Sequence, residues 1–393
     1  FQARRGMAIV QDVRTGEILA MANYPFFNPN RFFEGRRLHW KNAALTDAFE
    51  PGSTFKVILS ALALEEGISP SERFFCENGF YRVNREAAIR EAENHKYGWL
   101  SFSDILKFSS NIGAAKIASQ LGKVVFSRKI FEFGFGRKTG IDAPGESPGI
   151  VRPYKEWRLI DLTNIAFGQG ISVTAIQLVS AISAIANGGK LMRPFVVKKK
   201  IDPKMGEVIE TEPYFVAQVI SPEVARRLTR MLVRVTEEGG TGFSAAMKEY
   251  KVAGKTGTAQ KPDLRGRGYL SDKYISSFLG FFPADQPHYA IFVMIDEPKK
   301  NYYAAEVAAP LFKQIAILTA QLFPPLSRLV SERRSQKKVQ KKKETDFYDI
   351  SERESAIKWD KMPNLRGKSM YDVLKFGREA GINIVVRGSG IAV

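Results

Sequence analysis

The longer stretches that read as β-strand stand at the two ends of a long block, and most of what lies between them reads as helix or loop. Residues 7–13 (MAIVQDV) and 17–23 (EILAMAN) are apolar runs flanking Arg14, Thr15 and Gly16, the pattern of a hairpin. Three more strand-like runs, 251–260, 274–282 and 289–295, come only after residue 250. Strands must pair with strands, and a helix must bury its apolar stripe on something. The arrangement predicts an α/β (α+β) domain in which both ends of the chain meet in an antiparallel sheet of about five strands, covered by the helices between them.

The intervening helices can be placed by their stops. Pro51 and Gly52 break the chain before Phe55, Val57, Ile58, Leu59, Leu62 and Leu64, which recur at helical spacing until Gly67. Residues 68–100 are polar and irregular. A second helical face spans 108–122, with Ser109 to Asn111 at its beginning and Gly122 at its end. Glycine-rich loops at 133–149 and 167–174 precede a helix over 174–187, and residues 194–220 read as short strands and turns. A capped helix starts at Ser221 with Pro222 at its first position, and a last apolar helix covers 304–323. Pro324 and Pro325 then mark a boundary, so three regions are expected: a main domain over 1–325, a charged linker over 326–361, and a small α+β piece over 362–393.

The formal net charge is +18, which would suit a nucleic acid or another polyanion. Much of it is local, since residues 328–343 hold eight Lys or Arg against one Glu. No aromatic residues interleave that run, so it reads as a solvated linker and no nucleic-acid partner is expected. Cys76 is the single cysteine, and three histidines stand far apart without metal-ligand spacing. No metal or other cofactor is expected. Apolar runs stay below the roughly 18 residues of a membrane span, and no signal-peptide pattern opens the chain. Because Phe1 leads so soon into a strand, an upstream portion is expected to be missing.

Ser53 sits where the helix after Pro51 begins, and Lys56 follows three positions later on the same face. A neutral amine there could take the serine proton, which is the outline of a nucleophile and its base. Spacing alone is weak, because average usage gives roughly one or two chance Ser-x-x-Lys matches in such a chain. Ser335 with Lys338 and Ser355 with Lys358 also match, but in a hydrophilic tail with no apolar face to bury an amine.

Lys255, Thr256, Gly257 and Thr258 lie in a strand-like run. They offer a cation and two hydroxyls for a carboxylate, and a bare backbone that a substrate could approach. Lys138, Thr139 and Gly140 repeat the triplet inside the glycine-rich loop without a strand pattern. The string GKT at 254–256 fails as a phosphate loop because position 249 holds Glu249 rather than glycine. On their own, Ser109 to Asn111 read as helix caps. Beside Ser53, Lys56 and Lys255, Ser109 and Asn111 supply the second hydroxyl and the amide that acyl transfer would need.

Serine with lysine at i+3, then Ser-x-Asn, then Lys-Thr-Gly is the set shared by penicillin-binding proteins and class A β-lactamases. Here it reads STFK, SSN and KTGT, and the surrounding FEPGSTFK, FGQGISVT and GKTGTAQ resemble class B penicillin-binding proteins over roughly residues 5–320, FEPGST being closer to their cell-division branch. The segment MPNLRGKSMYDVL and the later GSGIAV resemble part of a PASTA domain. The resemblance implies the transpeptidase fold and a D,D-transpeptidase that cross-links peptidoglycan stem peptides ending in D-Ala-D-Ala and is acylated by β-lactams. It implies an anchored position on the outer face of the bacterial cytoplasmic membrane, the anchor lying upstream of this chain, and cell-division proteins as partners. Carried over by position, Ser53 attacks the carbonyl and Lys56 accepts its proton. Ser109 and Asn111 shuttle a proton and hold the peptide amide, Lys255, Thr256 and Thr258 bind the terminal carboxylate beside Gly257, and the Ser53 and Thr258 N–H groups form an oxyanion hole.

Burial and the like charge of Lys255 are expected to push the Lys56 pKa down. Two alternatives remain. A D,D-carboxypeptidase or β-lactamase-type hydrolase would pass the acyl group to water, with Glu146 as the carboxylate to consider, although its neighbours favour a loop-structuring role. A non-catalytic β-lactam sensor or scaffold would keep the pocket but have no need of Lys56.

Overall fold

In a computed structural model, the described residues are 1–325 apart from 35–38, 86, 264, 265 and 267, together with residue 373. The chain divides into two compact units, Phe1–Val330 and Ser331–Val393. Apart from residue 373, the second unit lies outside the described residues. So do the decoy serine–lysine pairs, the expected linker over 326–361, and all but residue 373 of the piece resembling a PASTA domain.

Strands β1 (Arg5–Asp12) and β2 (Ile18–Tyr24) form the hairpin. Helices follow in the order α1 (Ala43–Thr46), α2 (Lys56–Glu65), α3 (Phe102–Phe108), α4 (Asn111–Leu121), α5 (Lys123–Glu132), α6 (Leu159–Ile165), α7 (Ala175–Ala186) and α8 (Pro222–Thr236). Strands β3 (Ala253–Pro262), β4 (Tyr269–Phe282) and β5 (Tyr289–Asp296) come next, and α9 (Ala304–Leu322) ends the unit. The sheet order is β3-β4-β5-β1-β2, antiparallel throughout, with β1 paired along β5 from Arg5↔Asp296 to Asp12↔Tyr289. The expected five-stranded sheet closed by both ends of the domain is therefore present.

Strand β5 shows why its sequence up to Asp296, YAIFVMI, is apolar without a break. Successive side chains of a strand point to opposite faces. Ile291 and Val293 join one core with Ala308 and Phe312 of α9, whereas Phe292 and Met294 join the other with Ile176 and Val179 of α7. A sheet covered on both faces needs apolar residues at every position of its central strand.

Three local features differ from the sequence reading. The first turn after Pro51 is a 3-10 turn, Gly52–Phe55, and α2 begins only at Lys56. It is wedged between two elements: the Gly52 N–H donates to the Gly168 carbonyl at 3.1 Å, and a Cβ on Gly52 would stand 2.9 Å from that of Ala259 in β3. The helix expected over 108–122 is broken at Ser109, which adopts φ +62 as the residue that ends α3 from just beyond Phe108, while Ser110 caps α4. Gly122, expected as a stop, also turns the chain directly into α5. Residues 68–100 contain two small ribbons, Arg73–Phe75 with Trp99–Ser101 and Phe80–Arg82 with Ala88–Arg90.

Candidate active site

A 3-10 turn has three residues per turn, so side chains at i and i+3 eclipse. The wedge that tightens Gly52–Phe55 therefore sets Lys56 directly over Ser53, with Nζ 3.0 Å from Ser53 Oγ. Helix α2 is buried on all sides, and Lys56 is 2% exposed at its start. The amine cannot reach water and must find partners inside. The break at Ser109 provides them. Nζ lies 2.6 Å from the Ser109 carbonyl, 2.8 Å from Asn111 Oδ1 and 3.2 Å from Ser109 Oγ.

These four contacts sort themselves by chemistry. The carbonyl and the amide oxygen are acceptors only, so each takes an N–H of the amine. A neutral amine has two N–H bonds, and both are then used. Its lone pair is left for the two remaining neighbours, the hydroxyls of Ser53 and Ser109, which can donate. Burial pushes the Lys56 pKa down to about 7, against an upward pull from the carboxylate of Glu91. The neutral state that the geometry fits is accessible at ordinary pH.

Lys255 is fully buried, and its Nζ donates to the Thr256 carbonyl and to Thr256 Oγ1, each at 3.2 Å. Thr256 Oγ1 in turn donates to Thr241 Oγ1 at 3.1 Å. Burial, followed by repulsion from Lys56, holds the Lys255 pKa well below its ordinary value. Both amines are thus lowered as expected, burial being the largest cause at each, and the two like charges oppose one another.

Ser53, Asn111 and Thr258 line one open cleft of about 640 Å³, while Lys255 and Thr256 stand behind its wall. Gly257 lets β3 press against the nucleophile turn, since a Cβ there would lie 2.6 Å from Ser277 Oγ and 2.8 Å from Thr54 Cγ2. Thr258 Oγ1 accepts the Ala304 N–H at the start of α9, at 3.2 Å. The structure thus gathers Ser53, Lys56, Ser109 and Asn111 into one contact cluster, with residues 255–258 along its edge.

The second triplet does different work. Glu146 accepts from the Thr139 N–H and Thr139 Oγ1 at 2.6 Å each and from the Gly140 N–H at 3.2 Å, closing the glycine-rich loop on itself.

Sequence reading passed over two other groups in the cleft. Tyr274 and Tyr302 stack with ring centroids 4.0 Å apart, and Tyr303 lies 4.4 Å beyond Tyr302, making an aromatic wall. Tyr274 in a strand-like run and the Tyr302–Tyr303 pair just before the last helix were the available signal. Glu91, 6% exposed, accepts from Ser110 Oγ and from the backbone N–H of Asn111 and Ile112. Nothing in its polar neighbourhood marks it out.

Comparison with known proteins gives a consistent picture. Residues 6–316 match the family model described as the penicillin binding protein transpeptidase domain. The chain is 37% identical over 313 residues to Stage V sporulation protein D of Bacillus subtilis (strain 168), covering 79% of this chain and 48% of that protein. It is 35% identical over 319 residues to peptidoglycan D,D-transpeptidase FtsI of Buchnera aphidicola subsp. Baizongia pistaciae, covering 80% and 53%. The chain spans about half the length of the curated relatives it matches. Among solved structures, the aztreonam complex of penicillin binding protein 3 from Mycobacterium tuberculosis is similar at 32% identity and a TM-score of 0.75, covering 81% of this chain and 73% of that one.

Proposed function

Because this chain belongs to the penicillin binding protein transpeptidase family, we propose that it is a serine-type peptidoglycan D,D-transpeptidase of the class B, cell-division kind. Its substrates are stem peptides ending in D-Ala-D-Ala, and β-lactams acylate the same serine. The observation that carries the proposal is the buried Lys56 amine, held 3.0 Å from Ser53 Oγ with acceptor-only oxygens of Ser109 and Asn111 at its other side.

In the proposed reaction, the Ser53 oxygen bonds to the carbonyl carbon of the penultimate D-Ala while its proton passes to Lys56. The oxyanion is received by the backbone N–H groups of Ser53 and Thr258. Collapse breaks the C–N bond, and the terminal D-Ala leaves with a proton relayed through Ser109. Asn111 orients the donor peptide, and Lys255, Thr256 and Thr258 attract its carboxylate along β3, which Gly257 lets close on the nucleophile turn instead of opening space for the substrate backbone. An arriving carboxylate would favour the charged form of Lys255 that burial opposes. An amine of a second stem peptide then attacks the ester, loses a proton and frees Ser53. General-base help is worth typically 10² to 10⁴ in rate, and one oxyanion donor about 3 kcal/mol. A β-lactam offers the same carbonyl to Ser53, and its opened ring stays attached.

Hydrolysis is the weaker reading because Glu146, the candidate to activate water, is spent on the backbone and hydroxyl of its own loop. The relatives named Stage V sporulation protein D and peptidoglycan D,D-transpeptidase FtsI support a role in building the cell wall, and work at the outer face of the cytoplasmic membrane beside division proteins is part of the proposal. Among the described residues, no helix is long and apolar enough to cross a membrane. Fluorescent penicillin should attach covalently to the parent and fail to attach to Ser53→Ala. Equal labelling of the two would overturn the assignment. D-Ala release that rises with an added acceptor amine would separate transfer from hydrolysis.

A further inference from the structure

We propose that Glu91 is a positioning residue for the Lys56 base, its carboxylate fastening the Ser109–Asn111 turn so that the Ser109 carbonyl and Asn111 Oδ1 both face the amine. The inference rests on the reading of Lys56 as the proton acceptor and goes beyond it, because Glu91 touches neither Ser53 nor Lys56.

The turn has reason to move. Ser109 is held at φ +62, a conformation that residues with a Cβ seldom take, and it is the residue whose carbonyl and hydroxyl both meet Lys56. Immediately after it, α4 begins with backbone N–H groups that have no acceptor within the helix. Glu91 supplies that acceptor. One oxygen takes the Ser110 hydroxyl and the Ile112 N–H at 3.3 Å, and the other takes the Asn111 N–H at 2.7 Å. Ser110 Oγ itself accepts the Gly113 N–H at 2.9 Å, so one carboxylate locks the whole first turn of α4.

The residue before Glu91 completes the grip. Asn111 Nδ2 donates to the Arg90 carbonyl at 3.1 Å, which fixes the amide orientation and turns Oδ1, not the NH₂, toward Lys56. With the amide reversed, a donor would face the amine and one N–H of Lys56 would lose its acceptor. The Ala88–Arg90 strand and Glu91 thus hold Asn111 by its backbone and its side chain at once.

A plain structural cap would do no more than this, but Glu91 also carries charge close to the base. Lys56 is faced by Glu91, which favours its protonated form, and by Lys255, which is itself destabilised by it. Glu91 also acts on Cys76 and Tyr97, which are in turn influenced by Glu77 and Lys116 and by Glu93. Removing only the charge should therefore lower the pH at which Lys56 gains its proton, whereas shortening the arm should not.

The test is the second-order rate of Ser53 acylation by fluorescent penicillin as a function of pH, measured on the parent, Glu91→Gln and Glu91→Asp, with thermal unfolding recorded alongside. Glu91→Gln should shift the acid limb downward by about one pH unit and lower the plateau, because its NH₂ meets one of the three donors. Glu91→Asp should keep the limb in place and lower the plateau roughly tenfold, the charge being present but the turn loosened. A Glu91→Gln protein whose limb coincides with the parent's, or one that no longer folds, would overturn the inference and leave the carboxylate a part of the fold alone. Failure of the parent itself to label at Ser53 would instead overturn the function proposed for the cleft.

Discussion

The two ends of α2 each bring a lysine into the protein interior, and they treat it in opposite ways. At the C-terminal end, Glu65 reaches the amine of Lys129 on α5, which also meets Glu132 at 2.6 Å and the Val219 carbonyl at 2.9 Å. At the N-terminal end, Lys56 has only neutral oxygens in contact, and the positive end of a helix is a poor place for a cation. Both side chains are nearly inaccessible, at 5% and 2% exposed. Burial by itself therefore does not make a base. What differs is whether the protein meets the charge with a carboxylate in contact or answers it with carbonyls and hydroxyls that suit an uncharged amine equally well.

The sharpest way to break the comparison is to remove the amine at the reactive end. Lys56→Ala should lower the rate of penicillin labelling at Ser53 by roughly 10² to 10⁴, read as the second-order acylation constant. Lys56→Met, which fills the same space without a polar head, should be just as slow and yet melt no lower than the parent, since it removes a buried group that forfeits its charge on folding. A Met variant that unfolds well below the parent would mean that Lys56 is a structural lysine like Lys129.

The reverse substitution belongs at the other end. Lys129→Met leaves Glu65 and Glu132 facing each other with no cation between them, although both are about a third exposed or more, so solvent softens the effect. The expected cost is about 2 kcal/mol of stability, measured by denaturant unfolding, with the acylation rate of the folded protein unchanged. A change in rate without a change in stability would show that the two ends of α2 are coupled.

The contrast between these ends was only half legible in the sequence. The five strands were readable because YAIFVMI and its partners are short apolar runs set apart by turn and loop residues, and Ser53 with Lys56 was readable because Pro51 and Gly52 announce a helix start. The 3-10 turn that eclipses them was not, since it depends on Gly168 and Ala259 closing on Gly52 from distant parts of the chain. The break at Ser109 was hidden for the same reason: its sequence continues at helical spacing, and the carboxylate that secures the turn comes from residue 91. The partners of Lys56 could be anticipated as residue types, but the attribution of its shift could not. Only the three-dimensional structure shows that burial is the largest cause of the lowered pKa at both amines.

The smallest effect is also the most direct measure of how the two ends differ. Folding takes the Lys56 pKa from its ordinary value of 10.5 down to about 7. Between those values the unfolded chain binds a proton that the folded protein releases, so this group makes stability rise with pH across that window and contributes a constant penalty below it. Activity should follow the same proton. Below pH 7 each further unit should cost about tenfold in acylation rate as the neutral fraction of the amine falls, while above it the rate should level off. Lys129→Met should leave that profile where it is, because its amine lies at the other end of α2 and touches none of the reacting groups. An acid limb that moved in Lys129→Met would sink the claim that the groups in contact with Lys56, rather than burial around α2 as a whole, govern the proton on its amine.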